Sequence, residues 1–309
     1  MLRSFFNTLS RSTALQRMAA GFGPARRIAR RFTAGETFDD AAAVVEELNG
    51  RGIGAILNHL GEAVDSRDDA LGAAADYGAM VERADAAGLD ATLSVKPTHL
   101  GLGFGENFFH ETMSALVETA SRTGRAIEVD MEDSSLTDAT LNVYLSLLDQ
   151  SAAGLRIALQ TCLFRTEGDL SRLVERGGRV RLVKGAYDEP ADRAWQKKDD
   201  VDRSYARLVD ACFGDGARAA GFNPAFGTHD HKMIDTICET AAARGARRDD
   251  FEFQMLLGVR RDLQQRLADD GYRVRVYVPF GSHWYPYFMR RMAERPANAL
   301  FVARAMLGE

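Results

Sequence analysis

Tyr287, Arg290, Arg291 and Glu294 stand at i, i+3, i+4 and i+7 within the stretch RVYVPFGSHWYPYFMRRMAERPAN, residues 275–298. On a helix that spacing puts a phenol, two guanidiniums and a carboxylate on one face. Guanidinium forks match a carboxylate bidentately, so the arginine pair favours a substrate that bears one. Phosphate would suit the same forks, but no glycine-rich loop of the kind used by phosphate-binding barrels is evident near the end of the chain. Taken alone, the face reads more readily as a solvated surface on which Arg290 and Glu294 form an ordinary i,i+4 pair. The rest of the chain reverses that order.

A second set of ionisable and polar groups recurs wherever a short β-branched run gives out. Glu62, Lys96, Asp130 with Glu132, Gln160, Lys184, His229 with Asp230, Gln254 and Tyr277 all occupy such positions. The runs themselves are GIGAIL (52–57), ATLSVK (91–96), AIEVD (126–130), LRIALQ (155–160), RVRLVK (179–184), PAFGTH (224–229), FEFQML (251–256) and RVRVYV (273–278). Pro279 and Gly281 are read as stopping the last of them. An amphipathic helical pattern follows each run, and residues 37–49 form a helix of their own with a Thr or Asp cap.

Eight alternating units in roughly 260 residues suit a (β/α)₈ TIM-type barrel, class α/β. A doubly wound sheet is the structural alternative, but no GxGxxG turn opens a helix after the first run, and GLGFG at 101–105 has the wrong spacing. In such a barrel, groups at the C-terminal ends of the strands converge on one concave site, which makes an enzyme the leading reading. The expected division is an N-terminal helical arm over 1–50 and a single catalytic barrel over 51–309.

Composition narrows the class further. Hydrophobic content of 46% and charged content of 27% are those of an ordinary soluble globular protein, and no run approaches the ~20 apolar residues of a membrane span. Three cysteines without CxxC spacing exclude a disulfide framework and the usual zinc site. Net charge is −5, yet residues 1–31 hold seven arginines and no acid, so the remainder carries −12. A basic, amphipathic start such as LRSFFNTLSRSTALQRM suits a transit peptide, a membrane-surface helix or a first structural helix. A structural helix that also touches anionic lipid is favoured. Nucleic acid is not an expected partner, since no basic stripe with interleaved aromatics follows.

No metal set is apparent, because the two histidines of THDH (228–231) sit at i, i+2, and no GxSxG elbow is present. Lys96 and Lys184 are each eligible as a Schiff-base lysine with Asp130 shuttling protons, which makes a lyase or aldolase the enzymatic alternative. The backbone of GAY at 185–187 offers close approach and an aromatic wall to a flat ring system. A barrel kept only as a binding protein is the non-enzymatic alternative. The intact Arg290, Arg291, Glu294, Arg181 and Asp130 argue against it.

Six motifs in order then carry a resemblance: SVK (94–96), DMED (130–133), RLVKGAY (181–187), THD (228–230), FEFQMLLG (251–258) and YVPFGSHWYPYFMRRMAERPAN (277–298). Together they resemble the proline dehydrogenase family, in its short, single-function bacterial form, from about Arg31 to the C-terminus. The resemblance implies a (βα)₈ barrel with extra N-terminal helices and a non-covalent FAD at the strand ends. It implies oxidation of L-proline to Δ1-pyrroline-5-carboxylate, with electrons passing to a membrane quinone and a pyrroline-5-carboxylate dehydrogenase acting downstream. The implied location is cytoplasmic, peripheral on the inner face of a bacterial membrane.

The same resemblance assigns roles. Arg290 and Arg291 would hold the proline carboxylate, with Glu62 as a gate residue pairing with Arg290 and Glu294 near the amine. Tyr187, Leu256 and Tyr287 would wall the pyrrolidine ring, Tyr287 disfavouring a ring hydroxyl. Lys96, Asp130 and Tyr277 would support the site beside the flavin, and Arg181 would donate to flavin N5. Gln160, Val183, Lys184, Gly185, Ala186, Thr228, His229 and Gln254 are the further flavin contacts. The chain departs from the family pattern at Pro97, at Gly227, at Ser282 and His283, and at Asn58 and His59. None of these departures removes a group the chemistry needs.

Overall fold

The structure, a computed structural model, describes residues 29–61, 64–148 and 154–294, with side chains through Arg291. The basic start at 1–28 therefore lies outside the described residues, as do Glu62 and the side chain of Glu294. Eight parallel strands close into a barrel in chain order, β1 pairing with β8. They are β1 (Gly54–His59), β2 (Ala91–Val95), β3 (Ile127–Val129), β4 (Leu155–Gln160), β5 (Arg179–Val183), β6 (Ala225–Gly227), β7 (Glu252–Leu256) and β8 (Arg273–Phe280). Helix α1 (Phe38–Asn49) precedes β1, and α2 (Arg67–Ala86), α3 (Glu106–Thr123), α4 (Thr137–Leu148) and α5 (Thr166–Glu175) follow β1 to β4. Next come α6 (Lys198–Cys212) with the short α7 (Asp215–Ala219), α8 (His231–Ala243), α9 (Arg261–Asp269) and α10 (Trp284–Glu294). The expected (β/α)₈ class is the observed one. None of the described helices is long and apolar enough to cross a membrane.

Period-two alternation explains both layers of the barrel. In RVRVYV, IEVD and ATLSVK every second residue is aliphatic, and that set packs under the helices. Leu93, Val95, Ile127, Val129, Val274, Val276 and Val278 all belong to one buried core with Phe109, Leu141, Leu208 and Ile237 from the helices. The intervening residues face the lumen, and they are charged or carry a hydroxyl. Helix α1 starts where Thr37 and Asp40 form a capping box. Its buried face of Phe38, Ala41, Val45 and Leu48 joins the same core.

The last strand departs from expectation. Pro279 and Gly281 do not stop the run at Val278, because β8 continues through Phe280. Pairing with β7 ends at Leu256 opposite Tyr277, so beyond that point β8 has only β1 as a neighbour. Pro279 faces the vacated side, where its missing N–H costs no ladder bond. Its carbonyl accepts instead from the N–H of Ala34, at 2.8 Å, and Gly281 donates to the carbonyl of Gly35 at 3.0 Å. The chain before α1 thus seals the edge that β7 leaves open. Ala29 and Phe32 continue it into a second aromatic cluster with Trp284, Tyr285, Tyr287 and Phe288 of α10.

Inside the lumen the floor is ionic. The Glu252 carboxylate accepts from Arg156 at 2.9 Å, Gln254 at 2.8 Å and Arg275 at 3.2 Å. A cavity of about 100 Å³ lies beside this layer, lined by Thr92, Glu128, Arg156, Arg179 and Arg273 as well, at the N-terminal end of the barrel. Burial pushes the Glu252 carboxyl up, but the Arg156 and Arg275 charges outweigh it and hold the group down at about 2, from an ordinary 4.5. A carboxylate held low in the fold stabilises it above its unfolded pKa. That contribution is lost as pH falls from about 4.5 through about 2. Glu252→Gln is therefore expected to cost about 3–5 kcal/mol, since it strands buried guanidiniums. Melting scans should show a drop on the order of 10 °C at neutral pH. The variant's loss of stability on acidification below pH 4.5 should be correspondingly shallower.

Candidate active site

Above that floor the lumen narrows onto Asp130, the residue just past β3. One of its carboxylate oxygens accepts from Ser94 Oγ of β2 at 2.8 Å and from the Arg181 guanidinium of β5. The other accepts from Lys96 Nζ at 2.8 Å and from the Tyr277 hydroxyl of β8 at 2.7 Å. Four donors, from β2 and the turn after it, from β5 and from β8, thus meet across the lumen on one buried acid. Burial pushes the Asp130 carboxyl up, and the charges of Lys96 and Arg181 together with these hydrogen bonds override it, holding the group far below the usual carboxylate range. Lys96 responds in kind. Burial alone would lower it, but Asp130 and the neighbouring phenols Tyr277 and Tyr187 hold it well above an ordinary lysine.

Arg181 links the two layers of the lumen. It reaches Glu128 at 3.2 Å and Gln254 at 3.3 Å below, Asp130 above, and lies 5.8 Å from the centre of the Tyr277 ring. Glu128 also takes Gln254 Nε2 at 3.0 Å and Thr92 at 3.1 Å. Gln254 and Tyr277 are not rim residues, as their positions in the sequence suggested. They sit within β7 and β8, pointing inward, because both strands run past them. Ser94 and Glu128 were not among the expected site residues, although the alternation that places Lys96 and Asp130 also places them.

The rim is built from the loops that follow. Gln160, at the end of β4, donates to the Glu132 carbonyl at 2.8 Å. Glu132 itself turns away, its carboxylate accepting from the N–H and hydroxyl of Thr98. Gly185 has φ +113°, and a Cβ there would stand 2.5 Å from Cys162 Sγ and 3.2 Å from the Gln160 amide oxygen, so only glycine lets β5 leave the barrel at this point. Lys184 bridges Asp202 of α6 at 2.5 Å and Asp230 at 2.8 Å. Thr228 is buried, and its hydroxyl accepts from the N–H of Asp230. His229 Nε2 accepts from the N–H of Leu256 at 2.8 Å, which fixes the ring as the Nδ1–H tautomer. His231 is the exposed first residue of α8. Val183 packs against Gly227, where a Cβ would stand 2.8 Å from it.

Helix α10 closes the site from one side. Tyr287 is buried, the Arg291 guanidinium lies 4.9 Å from the centre of its ring, and Arg290 is exposed. Tyr187, 41% exposed at the rim, feels Lys96, Glu132, Asp130 and Arg290 together, and burial pushes its phenol up. The arginine of the terminal helix and the lumen layer are therefore neighbours.

Arg181 Nε is buried in the lumen with no hydrogen-bond partner among the described residues, and it can donate to an acceptor on a ring bound above it. The same geometry speaks against lysine nucleophiles. An amine must be neutral to attack a carbonyl, whereas Lys96 is held as an ammonium by Asp130. Lys184 Nζ is turned away from the lumen onto Asp202 and Asp230.

Comparison with known proteins follows the same line. The family model described as proline dehydrogenase matches residues 41–304. A proline dehydrogenase of Deinococcus radiodurans is 40% identical over 284 residues, 91% of this chain and 90% of that one. Proline dehydrogenase 2 of Bacillus subtilis is 35% identical over 304 residues, 98% of each chain. Among solved structures, proline utilization A from Bdellovibrio bacteriovorus superposes with a TM-score of 0.81 at 22% identity. The match covers 87% of this chain and 33% of that much longer one, a likeness of fold.

Proposed function

The chain belongs to the proline dehydrogenase family as an oxidoreductase acting on a CH–NH donor, and on that footing we propose that it oxidises L-proline to Δ1-pyrroline-5-carboxylate with FAD bound at the strand ends. Bound there, FAD would supply the hydride acceptor, at its N5, and the link to a membrane quinone. The observation that carries the reading is the closed layer in which Asp130 gathers Lys96, Arg181, Tyr277 and Ser94 beneath Tyr187 and α10.

The chain's own residues divide the work. Arg181 places a permanent cation where negative charge would accumulate on the acceptor, and its buried Nε–H is the donor assigned to N5. Asp130 holds that cation, Lys96 and the Tyr277 phenol in fixed orientation. It is too acidic and too fully engaged to take the proton of the substrate amine. Gln160, Val183, Lys184, Gly185, Ala186, Thr228 and His229 hold the cofactor along the rim, and Gln254 from the lumen beneath it. Arg290 and Arg291 grip the proline carboxylate, which orients the donor carbon for transfer. Tyr187, Leu256 and Tyr287 wall the ring, and Glu294 and Glu62 serve the amine and the gate. The barrel over 51–309 is the catalytic unit. The basic first part of the N-terminal arm over 1–50, residues 1–31, brings it to anionic lipid at the inner face of the cytoplasmic membrane, where the quinone resides. The product passes to a pyrroline-5-carboxylate dehydrogenase.

The visible spectrum of the purified protein, taken anaerobically before and after L-proline, tests this directly. A flavin band that bleaches is expected. A band indifferent to proline would overturn the substrate. A colourless protein unable to take up FAD, yet inactivated by borohydride in the presence of a carbonyl substrate, would overturn the cofactor and revive the lysine chemistry.

A further inference from the structure

Two of the residues at which this chain departs from its family pattern, His59 and His283, lie in one neighbourhood with His99, behind the substrate side of the barrel. His59 ends β1 and faces outward, toward α2. His99 lies in the turn after β2, three residues past Lys96, where its N–H donates to the Lys96 carbonyl at 3.1 Å. The two imidazoles are 6.2 Å apart, centre to centre. His59 packs on Phe280 at 5.4 Å and edge-on against Tyr77 of α2 at 6.3 Å. His99 Nδ1 is hydrogen-bonded to the fully buried Tyr77 hydroxyl at 3.0 Å. His283 belongs to the same electrostatic neighbourhood.

Each imidazole touches a glycine just past the end of a barrel strand. A Cβ at Gly61 would stand 2.2 Å from His99 Cε1 and 2.5 Å from its Nε2. A Cβ at Gly281 would stand 3.2 Å from His59 Cδ2 and 3.1 Å from the Leu60 carbonyl. Gly61 opens the β1–α2 loop. Gly281 opens the turn into α10, which bears Arg290 and Arg291. We propose that the His59–His99 pair, braced by Tyr77, is a positioning device that sets the spacing between the chain leaving β1 at Leu60–Gly61 and α10, and with it the grip on the substrate carboxylate. This rests on the proline dehydrogenase reading for what is gripped, not for the geometry.

Ionisation supports a neutral pair. Burial pushes both rings down, His99 to about 4 with His59, Lys96 and His283 acting in the same direction and Asp76 opposing. His59 is lowered by burial and by His283 against Asp76. The groups facing the pair are thus Asp76 and Tyr77 from α2, Lys96 from the β2 turn and His283 from the β8–α10 turn. Two neutral rings can pack as spacers where two cations could not.

The test is a double-mutant cycle on the full-length flavin-loaded protein. Gly61→Ala presses a methyl group into the His99 ring, and His99→Ala removes the abutment. Each alone is expected to raise KM for proline about tenfold or more, with kcat and flavin content little changed. In the Gly61→Ala/His99→Ala double variant the methyl group fills the space vacated, and KM should return toward the wild-type value. Tyr77→Phe, which keeps both rings and removes only their hydrogen bond, should leave KM within about twofold of wild type. Additive KM effects in the cycle, or a flavin loss parallel to the KM change, would overturn the proposal. Hydrogen exchange needs no substrate, so it separates this inference from the assigned reaction. His99→Ala should speed exchange at both 59–61 and 281–285, and unchanged exchange at either segment overturns the spacing role whatever the enzyme oxidises.

Discussion

Asp130→Asn is expected to slow proline-dependent flavin reduction by about 10²–10³-fold. It should also destabilise the fold by about 3–5 kcal/mol, even though the change is isosteric. Four donors converge on this carboxylate: Ser94 and Arg181 on one oxygen, Lys96 and Tyr277 on the other. An amide keeps one oxygen and turns an NH₂ toward the remaining two donors, whichever way it flips. Among the described residues Arg181 then keeps only Glu128, which already serves Gln254, Thr92 and Arg156, and Lys96 keeps no carboxylate at all. Arg181 loses the contact that fixes it beside the acceptor, and Lys96 loses the partner that holds it protonated. Stopped-flow bleaching at saturating proline reads the first effect and thermal melting the second. Tyr277→Phe, which removes one donor and leaves both charges paired, should cost about tenfold at most. A folded Asp130→Asn protein reducing its flavin within about tenfold of the wild type would show that the layer is structural and the chemistry elsewhere.

That layer shows where the sequence was legible and where it was not. The strands announced themselves because each alternates aliphatic and polar residues between turn signals, and the eight runs coincide with the eight strands to within a few residues. Lys96, Asp130, Gln160 and Lys184 could be placed at the rim from that pattern alone. The same alternation implied that Thr92, Ser94, Glu128, Arg156 and Glu252 share the lumen with them. A residue read as half of an amphipathic strand is usually assigned to solvent, however, and only barrel closure turns the polar face into an interior. Register decided the rest. Gln254 and Tyr277 looked terminal because their runs were short, while Pro279 looked like a stop because its loss of a ladder bond depends on how far β7 extends, which is set by another strand. The Tyr77–His99 contact joins a helix to a turn 22 residues away and leaves no local trace. The departures at His59, His99's neighbour Pro97 and His283 were visible only as oddities, with no hint that two of the three histidines would meet.

Arg291→Met should raise KM for proline by about 10²-fold, equivalent to roughly 3 kcal/mol, while flavin content and melting temperature stay near wild type. Methionine retains most of the apolar stem that packs over Tyr287, so the substitution removes the fork and little of the contact area. Of the pair, Arg291 is half-buried against an aromatic face and Arg290 is exposed. A guanidinium withdrawn from water interacts more strongly with a bound carboxylate and is screened less by salt. Arg290→Met should accordingly give the smaller rise, and one that shrinks further as ionic strength increases. Because the fork touches the substrate in its ground state and transition state alike, kcat measured at saturating proline should fall far less than kcat/KM. An Arg291→Met protein that lost its flavin, or whose kcat collapsed at an unchanged KM, would place this arginine with the cofactor and leave the carboxylate to another residue.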